Sequence, residues 1–226
     1  MSVPSPGSLP KGSADFELIK HMFMTSIVRH RQSLNSPDWA ERMKPEIVSI
    51  DPVVVPHDLL QRYLDRCGLL CQKELHEPPF PAEVWRPVSS QNANEFFLFH
   101  GTAWSNVDSI SSQGFDCKKV RSGMFGAGAY FAPNASKCDH YAQPDGLGCK
   151  CVFLARVALG AAYPRFKSCT HLTEPPEGCD SIVAVPKDYA GAVDVPEVSL
   201  FTSHGAIPFA RIVYRHKSYC RCHTCS

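Results

Sequence analysis

Apolar side chains recur at Phe16, Ile19, Phe23 and Ile27, with Lys20, His21, Arg29 and His30 off that face, a spacing that predicts an amphipathic helix starting at Asp15. A polar stretch through Ser33, Asn35 and Pro37 separates this helix from residues 46–54, where β-branched side chains cluster and Pro52 stops the run, predicting a first strand. Pro56-His57-Asp58 then opens a second amphipathic helix with the stripe Leu60, Leu64, Cys67, Cys71 and Leu75, ended by Pro78-Pro79. From there the pattern shortens. Apolar β-runs are read at residues 96–99, ending in His100-Gly101, and at 151–159, 181–185, 195–201 and 209–214. Short helices are read at 105–113, with Ser105 as N-cap and Gly114 at the C′ position, and at 134–142. No internal repeat is visible, and the mixture predicts an α+β domain.

The chain of 226 residues is one large domain or two small ones, and 44% hydrophobic, 20% charged and 10% aromatic residues are the proportions of a globular protein. Disordered, collagenous and coiled-coil classes are excluded by that balance. Residues 1–12 are rich in Pro, Gly and Ser and read as a floppy lead-in, residues 13–216 as a single domain, and 217–226 as a Cys-rich tail. Lys+Arg 23 against Asp+Glu 22 leaves a net charge of +1, so no broad field draws the molecule to nucleic acid or an anionic membrane, and direct nucleic-acid binding is not indicated. The most apolar long stretch, residues 152–163, carries Arg156 and Gly160 and falls short of the roughly 20 residues a bilayer span needs. The N-terminus has neither a cationic nor an apolar signal region, so an intracellular protein, nuclear or cytoplasmic, is expected.

Eleven cysteines are an odd number, and with no secretory signal they are expected to be reduced thiols. Cys67 and Cys71, at helical spacing, read as small hydrophobes. The tail Cys220-Arg221-Cys222-His223-Thr224-Cys225 offers soft ligands at close spacing, yet it lacks the second, distant pair that completes a structural zinc site. The alternative is a frayed terminus, and no metal site is expected.

Three separated segments pair a strand end with chemistry. Phe97-Leu98-Phe99-His100-Gly101-Thr102 places an imidazole and exposed backbone at the end of a buried strand, where a histidine is either a ligand contact or a structural hydrogen-bonder. In the segment 123–132, Gly126 and Gly128 stand two apart and would let the backbone approach a flat or phosphorylated ligand, although the strand-before, helix-after setting of a dinucleotide fingerprint is missing. In Val195-Pro196-Glu197-Val198-Ser199-Leu200-Phe201, Val198 and Leu200 share one face while Glu197, Ser199 and Phe201 share the other. A carboxylate on so apolar a strand is costly unless partnered, or else it is the solvated residue of an edge strand.

Together these segments resemble the catalytic domain of the poly(ADP-ribose) polymerase family, the diphtheria-toxin-like ADP-ribosyltransferases. The segments 123–132 and 136–141 look most like the tankyrase branch. The resemblance implies an ADP-ribosyltransferase fold, a mostly antiparallel split β-sheet with short flanking helices. It implies an NAD+-dependent transferase that moves ADP-ribose to protein acceptors and releases nicotinamide, with NAD+ as co-substrate. The family's His-Tyr-Glu triad falls on His100, Tyr130 and Glu197. By that resemblance His100 would bond a ribose hydroxyl, Gly101 and Thr102 would help hold the cofactor, and the Gly101 backbone would hold the nicotinamide carboxamide. Tyr130 and Tyr141 would sandwich the cationic ring, which the negative π-face of tyrosine favours. Glu197 would stabilise the positive charge developing at the anomeric carbon; in the family it also supports chain extension, a lean toward polymer formation. Lys118, Lys119 and Arg121 precede the Gly123 turn where the family has a loop closing over NAD+, and would either meet the pyrophosphate or form an ordinary solvated basic loop.

Two positions depart from the family pattern. Cys138 stands where the family has a serine donating to the carboxamide, and a thiol is a weak donor. Tankyrase carries a zinc-binding insertion after the stacking tyrosine, whereas here Cys138, His140, Cys149 and Cys151 can be drawn as a set only by pulling Cys138 out of the pocket. With so few residues before His100, the helical regulatory domain of DNA-dependent members is not expected in this sequence. The Cys138 departure keeps open a non-catalytic NAD- or ADP-ribose-binding module of the same fold. A thiol enzyme using a Cys with a His is a third reading, though no spacing selects such a pair.

Overall fold

The computed structural model describes residues 7–28, 45–73, 75, 85–88, 93–120 and 122–216. Arg121 and the Cys220–Cys225 tail lie outside the described residues.

Ser13 opens the first helix, α1 (Ala14–Thr25), by accepting the Phe16 amide on its hydroxyl at 3.3 Å. Of the expected stripe, Phe16, Ile19 and Phe23, with Met22 beside them, are buried against Ile50, Phe99, Val152, Leu154, Ile212 and Tyr214, while Ile27 lies past the end of the helix and is partly buried on the same cluster. The expected lead-in is tied down at its C-terminal end, where the Leu9 amide donates to the Ile50 carbonyl at 2.8 Å and Leu9 packs on the same cluster.

The second helix, α2 (His57–Leu70), presents a different face from the one its leucines suggest. Leu59, Tyr63, Cys67 and Leu70 are buried, while Leu64 and Cys71 are exposed and the helix stops five residues before Leu75. The two stripes are interleaved at the same spacing, and Tyr63 decides between them. Its hydroxyl donates to the buried Glu95 carboxylate at 2.7 Å, Arg156 Nε donates to the same oxygen at 2.6 Å, and the guanidinium stands 5.6 Å over the Tyr63 ring. That set of partners satisfies groups that burial would otherwise penalise.

Eight strands form two four-stranded sheets. The first has the order β1 (Glu46–Pro52), β8 (Ala206–Arg215), β4 (Lys150–Ala158), β2 (Glu95–Gly101), all antiparallel. The second runs β3 (Ala129–Phe131), β7 (Glu197–Leu200), β6 (Ser181–Ala184), β5 (Ala162–Arg165), antiparallel except for the β5–β6 pair. Strand β5 carries Pro164 and stayed unread in the sequence, and β8 begins before residue 209 because Pro208 sits at a register shift, where the ladder tolerates it. Between the sheets lies the main core, with Leu98, Phe153, Ala155 and Val157 of the first packed toward Phe131, Val183, Val198 and Leu200 of the second. A fully buried leucine or phenylalanine there stabilises the fold by about 2 kcal/mol.

Two short helices complete the frame, α3 (Val107–Gln113) and α4 (Ala135–Asp139). Ser105 does not cap α3; residues 104–106 form a 3-10 turn before it, and Asn106 occupies the cap position. Gly114 does end it, with φ +77, a conformation a Cβ would strain. The architecture is the expected α+β one, and its split lies between β2 and β3. The backbones of these edges meet in a two-bond bridge, Phe99 N to Ala132 O at 2.8 Å and Ala132 N to Phe99 O at 2.9 Å.

Candidate active site

Beyond that bridge the two sheets part, and a cleft opens at the end of β2. It encloses about 270 Å³ and is lined by His100, Gly101, Tyr130, Cys138, Tyr141 and Glu197 together with Lys137, Val120, Ser122 and Met124. All the predicted site residues meet here except Thr102, which is buried and takes a hydrogen bond from Asn106 Nδ2 at 3.1 Å. Lys118 and Lys119 sit on an exposed 3-10 turn and do not line the cleft.

His100 Nδ1 donates to the Tyr130 carbonyl at 2.7 Å, so the histidine is a structural bond and a cleft wall at once. Burial lowers its pKa, which keeps the imidazole neutral and leaves Nε2 as an acceptor. The Tyr130 hydroxyl accepts from the Phe125 amide at 2.7 Å and donates to the Gly126 carbonyl at 2.8 Å. Both bonds fasten the ring so that its body, not its hydroxyl, faces the cleft. A Cβ on Gly123 would overlap that ring, whereas Cβ atoms on Gly126 and Gly128 would overlap Leu172 and Ser199. The Gly126/Gly128 pair therefore serves packing of the turn and of β3 on β7, not close approach of a ligand.

Glu197 lies on an interior strand and is 5% exposed, so the solvated edge-strand reading does not hold. Its partner is Lys137, at 2.9 Å. Burial raises the Glu197 pKa despite the lysine, and Asp194 adds to the rise. For Lys137 burial works downward, but the carboxylate outweighs it and its pKa ends raised. The same ammonium stands 5.8 Å over the Tyr141 ring. Lys137 was not singled out in the sequence; the apolar setting of Glu197 asked for a cation, and Lys137 lies one helical turn before Tyr141.

Cys138 turns its thiol to the Phe99 carbonyl at 3.1 Å, and burial followed by the Glu197 charge pushes it up to about 12. A Cβ on Gly101 would fall on the Cys138 carbonyl, so only glycine allows α4 to lie this close to β2. Cys151 is buried in the inter-sheet core, while Cys138 belongs to the cluster under α1, so the four-residue set drawn from the sequence is not assembled. Among the described residues no three His, Cys, Asp or Glu side chains converge as a metal site requires. Among them, too, no helix is long and apolar enough to cross a membrane.

The chain is 27% identical over 159 residues to the human protein mono-ADP-ribosyltransferase PARP3, covering 63% of this chain and 28% of that protein. It is 42% identical over 81 residues to a probable poly(ADP-ribose) polymerase of Dictyostelium discoideum, covering 34% of this chain and 24% of the relative. It is 34% identical over 89 residues to the poly(ADP-ribose) polymerase tankyrase of Caenorhabditis elegans, covering 37% and 4%. The chain thus spans less than a third of each of these relatives. The model of the poly(ADP-ribose) polymerase catalytic domain matches residues 78–212, which include the whole cleft. With β2, β3, α4 and β7 all inside that match, the chain belongs to the poly(ADP-ribose) polymerase catalytic-domain family.

Proposed function

We propose that this chain transfers ADP-ribose from NAD+ to protein acceptors and releases nicotinamide. The observation that carries the reading is the convergence of His100, Tyr130, Tyr141 and a buried Glu197 on one cleft. The residues fit the co-substrate: two tyrosine rings suit a flat cationic ring, a neutral imidazole offers Nε2 to a ribose hydroxyl, and a carboxylate in low dielectric favours positive charge. NAD+ supplies an N-glycosidic bond whose electron pair leaves with nicotinamide.

Glu197 then stabilises the oxocarbenium-like charge at the anomeric carbon, with burial making its field stronger than in water. Lys137 holds that carboxylate in place. His100, fixed by its bond to Tyr130, orients the ribose, and the backbone of Gly101 meets the carboxamide. Tyr130 and Tyr141 cover the ring's faces. A nucleophilic atom of the acceptor side chain forms the new bond to the anomeric carbon, and the proton of a hydroxyl or thiol acceptor passes to solvent.

One observation favours a second reading, a binding module without turnover: the Cys138 thiol is engaged by Phe99 and offers the carboxamide no strong donor. Labelled NAD+ incubated with wild type and Glu197→Gln separates the two. Nicotinamide release with labelled protein, lost in Glu197→Gln, is expected; a ladder means chain extension and one sharp band means single transfer. Binding with no release in wild type would leave the module reading, and Cys138→Ser would then be the variant to assay.

A further inference from the structure

Helix α4, which carries Lys137, has only five residues, too few for its internal hydrogen bonds to hold its direction. Its N-terminal end is tied to the chain after α1: the Ala135 amide donates to Ser26 Oγ at 3.1 Å and the Val28 amide to Ser136 Oγ at 3.1 Å. Its C-terminal end is held through one carboxylate oxygen. Asp139 Oδ1 accepts from the Tyr214 hydroxyl at 2.7 Å, from His216 Nε2 at 2.8 Å and from Lys150 Nζ at 2.9 Å. Lys150 Nζ also donates to the Asp139 main-chain carbonyl at 3.1 Å. Asp139, Lys150 and Tyr214 are each buried, the Phe23 ring packs on Tyr214 at 5.0 Å, and none of the four clamp residues lines the cleft. A carboxylate buried this deeply persists only when charge and donors surround it.

We propose that Asp139 is a positioning residue: its clamp on Lys150, Tyr214 and His216 sets the rotation of α4 and thereby holds Lys137 on Glu197. Positions two apart on a helix differ by about 200°, so fastening residue 139 inward against β4 and β8 aims residue 137 outward into the cleft. The consequence for catalysis rests on the transferase reading above. Its consequence for Glu197 does not. The titratable and charged groups around Glu197 are Lys137, Asp194, Tyr130, Tyr141, Cys138 and His100, and of these Lys137 alone is a cation at neutral pH. A helix that turns takes that cation away.

The test is Asp139→Asn combined with Lys150→Met, which removes both buried charges together so that neither is left without a counter-charge. Two changes are expected in the folded variant. The kcat for nicotinamide release falls about 10-fold or more with KM for NAD+ changed less than about threefold, because a small misplacement of the machinery acts on the chemical step. The Glu197 carboxyl, followed by carbon-13 NMR of glutamate-labelled protein and assigned by its loss in Glu197→Gln, titrates about one pH unit higher, as a carboxylate does when a close cation leaves. Lys137→Met gives the full size of that displacement. If the double variant does not fold, Tyr214→Phe removes one donor and no charge and carries the same two readouts with smaller changes.

A Glu197 titration that stays put, with kcat within twofold of wild type, overturns the clamp. The titration requires no turnover. A displaced titration in a protein that never releases nicotinamide keeps the clamp and sinks the transferase reading, while an active enzyme with an unmoved titration does the opposite.

Discussion

The Lys137 ammonium lies 2.9 Å from a Glu197 carboxylate oxygen and 5.8 Å over the Tyr141 ring, so one cation joins α4 to β7 across the cleft. Glu197 and Lys137 both have raised pKa values, for opposite reasons. The carboxylate is penalised by burial more than the lysine helps it, whereas the half-buried lysine is helped by the carboxylate more than burial hurts it. Charged Glu197 is thus a cost to the fold, as charged groups at functional sites often are.

Replacing Glu197 by Gln therefore separates stability from activity. The amide keeps the shape and removes the buried charge, so Tm is expected to stay within about 3 °C of wild type. Nicotinamide release is expected to fall about 100-fold or more, the size seen when a transition-state electrostatic contact is deleted, with NAD+ affinity changed only a few-fold. Isothermal titration and product quantitation on the same preparation check both halves, and equal turnover in the two proteins would remove Glu197 from the mechanism.

Activity should have an acidic limb to which Glu197 contributes. Its pKa is raised, so protonation sets in above the usual carboxylate range and turnover is lost as pH falls through that value. His100 is shifted the other way by burial, so it adds no limb of its own near 6.5. Asp194 raises Glu197 further, so Asp194→Asn moves the limb down. A pH profile of kcat/KM for both proteins tests the assignment.

That His100, Tyr130 and Glu197 meet in one cleft was legible because the strings around them resemble the family's motifs. Helix α1 was legible for a plainer reason: its stripe Phe16, Ile19, Phe23 has no competitor on the helix. Helix α2 misled, since Leu60 and Leu64 form as good a stripe as Leu59 and Tyr63, and only the long-range Tyr63–Glu95–Arg156 contacts choose between them. Lys137 and the Asp139 clamp were invisible for the same cause. Lys150 reads as a stray charge between Cys149 and Cys151 until folding brings it against a helix eleven residues earlier.

Stability toward acid should report that clamp. Burial alone would raise the Asp139 carboxyl, but the His216 and Lys150 donors outweigh it and hold it at about 2, against an ordinary 3.8. A depressed carboxyl contributes stability above its unfolded value and loses it as pH falls toward the folded one, so the loss is expected from about pH 4 down to about pH 2. Asp180, held down by Lys73 and Arg66 against the opposing effect of burial, loses its share over the same direction of pH. Urea midpoints measured at pH 7, 4 and 3 should drop for wild type and drop less for the Asp139→Asn/Lys150→Met protein.

Thiol reagents should leave activity intact. Burial pushes Cys138 and Cys151 up to about 12 and Cys67 up to about 11, and a thiol that remains protonated is a poor nucleophile. Among the described cysteines, exposed Cys71 is expected to react first with iodoacetamide at pH 7.5, and mass spectrometry should find it alkylated in protein that still releases nicotinamide. Stoichiometric inactivation tracking modification of Cys138 would restore the thiol-enzyme reading.

Gly101 should tolerate no side chain. A Cβ there falls on the carbonyl oxygen and carbon of Cys138, which are backbone atoms and cannot swing aside as a side chain would. To admit it, the end of β2 and helix α4 must part, and with them the walls that carry His100 and Lys137. Overpacking of this kind costs about 1–3 kcal/mol, and because the displaced elements frame the cleft, Gly101→Ala is expected to lose NAD+ affinity more than 10-fold at a temperature where it remains folded. Gly146→Ala is the matched control: nothing lies within 4 Å of its added methyl, and its stability should change by less than about 0.5 kcal/mol. Normal NAD+ binding by Gly101→Ala would show that β2 and α4 need not touch for the cleft to work.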